Sequence, residues 1–167
     1  MDHSVRAGGF YDLGMNFRLW IRIALGYLAL SNLQIGVWAL VAPQSFYDGF
    51  PGLGRGWISV DGPFNEHMIR DFGALNLALA VVYVFAAISL NVTTIRAACI
   101  AALVWGVPHV LYHVFNTDGL ATGDVIASVG GLAFSAFIPI VVLGLVRGFG
   151  SNDSADGSQQ LAEPLKS

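Results

Sequence analysis

Charge is what this chain has least of. Only 11% of its 167 residues are Asp, Glu, Lys or Arg, where a soluble domain carries roughly 25%, so a surface able to keep a soluble domain in water is excluded. A basic excess is missing as well. The formal net charge is −3, dominated by a short acidic tail, which excludes nucleic acid as a partner and offers no polybasic patch for anionic lipid. Cysteine occurs once, at Cys99, so neither an internal disulfide nor a thiol pair is available, and its place in an apolar run argues for a buried, inert thiol. No internal repeat is present. The first apolar segment is too long for a cleavable leader and no small-residue cleavage site follows it, so that helix is expected to stay in the mature protein.

What the chain does have is hydrophobic length. Apolar residues make up 55% of it and its mean hydropathy is +0.64. Four segments reach the length of about 20 residues that the hydrocarbon core requires: residues 17–42, closed by Pro43, then 65–90, 96–116 and 124–146. The predicted fold is therefore all-α, a four-helix transmembrane bundle within residues 1–147 embedded in the lipid bilayer. The turn at 91–95 and the loop at 117–123 are too short for anything but antiparallel neighbours, which gives an up-down-up-down order. Between the first two spans, Gly49, Pro51, Gly52, Gly54, Gly56, Gly62 and Pro63 rule out a long regular element. The Phe46, Tyr47, Phe50 and Trp57 among them suit the interfacial zone, and the stretch is expected to lie on the bundle's outer mouth as a lid. From Gly148 to Ser167 the sequence is polar and poor in bulky residues, which predicts a disordered cytoplasmic tail.

Arginines set the expected orientation. Arg6, Arg18 and Arg22 precede or open the first span, Arg96 lies between the second and third, and Arg147 follows the fourth, whereas the opposite loops hold only Arg55. Because basic residues near membrane ends accumulate on the cytoplasmic side, both termini of this multi-pass plasma-membrane protein are predicted to be cytoplasmic.

Three of the four histidines, His67, His109 and His113, fall inside spans, together with Glu66, Arg70 and Asp71. Ionisable side chains at that depth are costly and mark functional sites more often than surface charges do. Counting along antiparallel spans puts His67 level with His113 near the outer end, and Asp71 level with His109 about one turn deeper. The i, i+4 spacings of His67/Asp71 and His109/His113 put each pair on one helix face. Imidazoles with a carboxylate suit zinc, iron or copper, and two histidines one turn apart let one helix give two ligands to an ion, as in H-E-x-x-H. The expected first shell is His67, His109 and His113 with Asp71 or Glu66. A polar network without metal is the plainer alternative.

Glu66 and Arg70 form another i, i+4 pair, readable as a structural ion pair or as an arginine held ready for an anionic head group or substrate, with Asp71 as a rival partner. Pro108 deprives the Val104 carbonyl of its donor and kinks the third span just before His109. Trp105 and Tyr112 are then placed to help close a network or contact a cofactor. Pro139, with no ionisable residue near it, shows that such prolines also occur without a site. Asn32 and Asn76 reach the bilayer middle together and read as interhelical amide bonds. Gly26, Gly36, Gly73, Ala74, Ala78, Gly130 and Gly131 read as positions of close helix approach.

The run from WALVAPQSFYDGFPG through GPFNEHMIRDFGALNLALAV to WGVPHVLYHVFN resembles an uncharacterised family of small four-helix integral membrane proteins from actinobacteria, and more distantly the DoxX-like four-helix proteins. The resemblance covers most of residues 17–146. Its DoxX-like side implies quinone and thiol redox chemistry, from which the lone Cys99 departs, so no catalytic residue is carried over.

Together these readings predict a membrane protein with a His/Asp/Glu-rich site in its outer half that binds a transition metal and supports redox or hydrolytic chemistry. Two alternatives stand beside it. One is an accessory subunit of a larger membrane complex, or a homo-oligomer. The other is a haem or quinone electron-transfer protein in which His67 faces His109 or His113. Transport is disfavoured, since no paired interrupted helices are evident.

Overall fold

The computed structural model describes the backbone of residues 4–160 and the side chains of residues 16–147. Among the described residues every regular element is a helix: α1 (Ser4–Val41), α2 (Pro43–Gly49), α3 (Glu66–Ser89), α4 (Val92–Phe115) and α5 (Thr122–Gln160). Four of them contain stretches long and apolar enough to cross a membrane, Asn16–Val41, Glu66–Ser89, Val92–Phe115 and Thr122–Arg147. The chain is a multi-pass helical membrane protein built as a four-span bundle. One end of the bundle carries the 50–65 loop and is called the loop end below; the other carries the α3–α4 turn.

Local chemistry fixes the helix limits. Pro43 opens α2, where its missing N–H is no loss and its ring presets a helical φ. Asn65 caps α3 by accepting from the Met68 N–H at 3.1 Å, and Asn91 caps α4 by accepting from the Thr93 and Thr94 N–H groups at 2.9 and 3.3 Å. Leu90, at φ 49, ends α3 in the left-handed region. The α3–α4 turn is thus only Leu90 and Asn91, shorter than the expected 91–95, because polar Thr93 and Thr94 conceal the helix start from a hydropathy reading. α5 runs on to Gln160, beyond Gly148, where composition places the start of an irregular tail. Polar residues can extend a helix already under way, since each adds one backbone bond. Residues 161–167 of that tail lie outside the described residues.

α1 packs along α3 and α4 along α5, while α3 meets α4 less closely and α1 touches α5 lightly, with Tyr27 edge-on to Phe134 at 5.7 Å. The two backbones of the first pair come close where Gly36 faces Gly73. A Cβ on Gly36 would lie 2.8 Å from the Gly73 carbonyl oxygen, and one on Gly73 would lie 3.0 Å from that of Gly36. Gly26, Gly130 and Gly131 have open space at the same position, so the expectation of close helix approach is met at Gly36 and Gly73 and not at these three.

Arginines tie the same pair at both ends. Arg70 of α3 donates to the Leu40 carbonyl at the end of α1, and Arg22 of α1 donates to the Ala87 carbonyl at the end of α3 at 3.2 Å. The last carbonyls of a helix lack intrahelical donors and carry the negative end of its dipole, so each helix supplies the other's cap. The apolar core gathers toward the turn end, where Leu25, Tyr83, Ile95, Cys99 and Val142 pack together. Cys99 is buried there, as its apolar run implies.

Candidate functional site

The expected ligands separate into pairs. His67 Nε2 lies 3.3 Å from Asp71 Oδ2, with the two side chains 86% and 68% exposed. Arg70 chooses Glu66 over Asp71, with its Nε donating to Oε1 at 2.8 Å, so the ion-pair reading of those two residues describes the geometry. His109 and His113 meet edge to face with ring centroids 4.9 Å apart. Tyr112 sets its ring at right angles to His113 and is exposed on the bundle's outside. Among the described residues no group of three or more His, Cys, Asp or Glu side chains is placed to hold a metal ion. The four-ligand shell expected from matched depth is not assembled within one chain.

Rotation explains the separation. Phe72 faces α4, stacking near Trp105 at 5.7 Å and near His109 at 6.4 Å. Asp71 precedes it by one residue and so points about 100° away around the helix, toward the outside. Equal depth put the residues at one level, but the packing of α3 on α1 and α4 turned the His67/Asp71 face outward.

The polar groups that do converge lie nearer the middle. A cavity of about 100 Å³ opens between the spans, with walls that include Ser31 and Asn32 of α1, Asn76 and Tyr83 of α3, Trp105 and His109 of α4, and Ser135 of α5. At about 1.5 Å per residue, His109 sits roughly 9 Å below the loop end of its helix and Asn76 roughly 15 Å below the start of its own. Asn76 is 3% exposed. The Asn32 Nδ2 donates to the Leu28 carbonyl and the Asn76 Nδ2 to the Phe72 carbonyl, each at 2.8 Å. These amides therefore do not bridge helices, and each keeps its oxygen as an acceptor. His109 stacks on Trp105 at 5.2 Å and 22°, which holds the imidazole flat against the wall.

Trp105 is the one expected cofactor contact that reaches this cavity. Ser135 and Tyr83 did not stand out in the sequence, where Ser31, Asn32 and Asn76 read as polar packing between helices. The signal that could have found them is a polar residue near the midpoint of every one of the four spans, since a single such residue needs only a backbone partner but four at one depth imply a shared space.

The loop packs against the end of the bundle nearest His109. A chain of rings runs from Trp57 to Phe50 at 6.1 Å, to Phe46 at 5.0 Å and on to Phe72 at 5.9 Å, and Phe46 is 1% exposed. Arg55 forms an ion pair with Asp124 at the start of α5, and the Trp57 indole approaches the same carboxylate. Tyr47 donates its hydroxyl proton to the Gly62 carbonyl and stacks edge-on to Phe64. The predicted lid is thus a short helix and a run of turns, tied to the spans by Arg55 on Asp124 and by Phe46 against Phe72, and braced within itself by Tyr47. Comparison with protein-family models, curated proteins and solved structures finds no match.

Proposed function

We propose that the protein is a membrane-embedded binding protein whose spans hold a small, uncharged, hydrogen-bonding molecule beside His109. The observation that carries this is the convergence of polar side chains from all four spans on one cavity. Polar groups at that depth are unfavourable against lipid and are retained where they serve a cavity or a pathway. A space of about 100 Å³ has room for roughly three waters at about 30 Å³ each, which limits the ligand to a few heavy atoms. No carboxylate, lysine or arginine lines it, so an ion would find no countercharge. A neutral imidazole supplies one donor and one acceptor, and the two asparagine oxygens supply acceptors. The arginine distribution orients the bundle with both termini cytoplasmic in the plasma membrane and the loop over the outer mouth.

The test is thermal unfolding of the full-length protein in lipid nanodiscs with imidazole or acetamide as the probe. Either probe should raise the melting temperature of the wild type, reaching about 2.7 kcal/mol of stabilisation at 100 times its Kd. The shift should vanish in His109→Phe, which keeps the ring stack and removes the hydrogen bonds. A wild type that responds to neither probe, with an experimental map showing the cavity dry, ends this reading.

A transition metal with redox chemistry finds its support in the paired rings of His109 and His113. Two imidazoles would leave the remaining positions of a four-coordinate ion to water or substrate. Near-stoichiometric metal that is lost in a His109→Ala, His113→Ala double variant would favour it, and metal-free protein with an unchanged fold would reject it. Kinship with the DoxX-like proteins belongs to the same proposal, with quinone rather than thiol chemistry as its content, because the single thiol is buried.

A further inference from the structure

The contact that ties α1 to the end of α3 uses only the Nε of Arg22, which donates to the Ala87 carbonyl. The two terminal nitrogens of this exposed guanidinium have no partner among the described residues. Arg18, one turn earlier on the same face, is exposed as well and has no partner among them either. Two like charges at i, i+4 repel each other, so the pair is unfavourable until an anion lies against both. The arginines of the loop end differ, since Arg55 holds Asp124 and Arg70 holds Glu66.

A groove begins where these two arginines end. It holds about 660 Å³ and is walled by residues such as Leu30 and Leu33 of α1 and Leu77, Val81 and Phe85 of α3. No described residue of α4 or α5 lines it, so it opens on the outside of the bundle. Gly26, with open space where a Cβ would be, lies in its lining four residues beyond Arg22. That spacing sets Arg18, Arg22 and the groove on one line along α1. The levels match a lipid's parts. α3 has 24 residues, about 36 Å at about 1.5 Å each, and a hydrocarbon layer of roughly 30 Å leaves about 3 Å over at each end. Ala87 is two residues from the end of α3, about 3 Å, which puts the Arg22 guanidinium at the hydrocarbon edge. Arg18 stands about 6 Å farther out, among head groups, and the groove from Gly26 to Leu33 runs about 10 Å within the hydrocarbon.

We propose that the protein binds one glycerophospholipid of net negative charge at the turn end, with an acyl chain in the groove between α1 and α3 and the phosphate on Arg22. The apolar walls cannot choose among lipids, because the tails around them are equally apolar. Charge makes the choice. A guanidinium meets two phosphate oxygens with parallel N–H bonds, and a zwitterionic head group would bring its own cation toward Arg18. The net charge of the whole chain, which argued against anionic lipid, conceals this arrangement. Among the residues with described side chains, every carboxylate lies toward the loop end, within residues 48–71 or 118–124. Basic residues at a cleft between spans recognise anionic head groups on the cytoplasmic side, which is the side the arginine distribution gives this end. The site does not depend on the cavity beside His109.

The experiment takes full-length protein in mild detergent, adds equimolar phosphatidylglycerol and phosphatidylcholine with matched acyl chains, and counts the lipid retained per chain by native mass spectrometry. One phosphatidylglycerol per chain, favoured by at least about tenfold at low salt and by less at high salt, is the expected result. Arg22→Gln keeps a donor for the Ala87 carbonyl while removing the charge, and should abolish the preference. Arg22→Lys should restore part of it, and Arg96→Gln, at the same end but on α4, should leave it whole. Gly26→Leu fills the groove without touching either arginine and should lower retention of both lipids. Equal retention of the two lipids by the wild type, or an unchanged preference in Arg22→Gln, overturns the site. Undiminished retention in Gly26→Leu means that head groups bind at the surface alone, and overturns the groove's part in it.

Discussion

Gly36 and Gly73 leave no room for a methyl group between α1 and α3. Gly36→Ala must push the two backbones apart, because the Gly73 carbonyl oxygen at 2.8 Å cannot yield as the equally close Leu77 side chain can, and overpacking of this kind costs roughly 1–3 kcal/mol. Gly130→Ala meets nothing within 4 Å and should be neutral, or stabilising by up to about 1 kcal/mol through helix propensity. Reversible unfolding in mixed micelles checks the pair, and equal effects at both positions would refute the crossing point. Asn76 allows a second comparison. Asn76→Asp keeps the shape and places a carboxylate near mid-bilayer, which insertion scales put at roughly 3 kcal/mol. It should lower the yield of folded protein sharply, whereas the same change at exposed Asn116 should not.

At the scale of elements, the arginine bonds and the loop anchors can be separated by experiment. Arg22→Ala removes the donor from the end of α3 and Arg70→Ala removes it from the end of α1. Each should cost about 1–2 kcal/mol, near or just below the range for a bond to a charged group, because both arginines lie close to the membrane ends where lipid head groups and water compete for them. The loss should be read by unfolding and by faster hydrogen exchange confined to the last turn of the opposite helix. Arg55→Gln breaks a different tie, to Asp124. Exchange should then rise across residues 50–61 while the α1–α3 pair keeps its protection; a uniform rise would mean the loop is not an independent unit. Hydrophobic length placed all four spans in the sequence, and closely matched the limits of α3, because span length is set by the bilayer rather than by neighbours. Rotation about the helix axis was not legible. Nothing in the sequence alone says that Phe72, and not Asp71, turns toward α4, since that depends on how Gly36 and Gly73 seat α3 against α1.

For the whole molecule, four crossings predict that the segments flanking Asn16 and Arg147 lie on one side whatever the absolute orientation. Reporter fusions after Arg147 and before Phe17 should therefore report the same compartment, and a reporter in the 50–61 loop the other one. Opposite readings from the two ends would mean that one span does not cross. The architecture is tight at one end and open at the other, with the apolar core near the α3–α4 turn and the polar cavity toward the loop. That gradient was partly legible, because the histidines and the Gly/Pro loop cluster at one end of the sequence's spans. The cavity was not, because its walls are single neutral residues drawn from four separate segments, each unremarkable alone.

The crossed arginines also bear on biogenesis. A first span that enters the bilayer alone has bare carbonyls at its far end and an arginine at its near end with nothing to hold, and both needs are met only when the next span arrives. The two should therefore integrate as a hairpin, and a nascent chain halted after Val41 should remain extractable by alkali until translation has carried α3 clear of the ribosome.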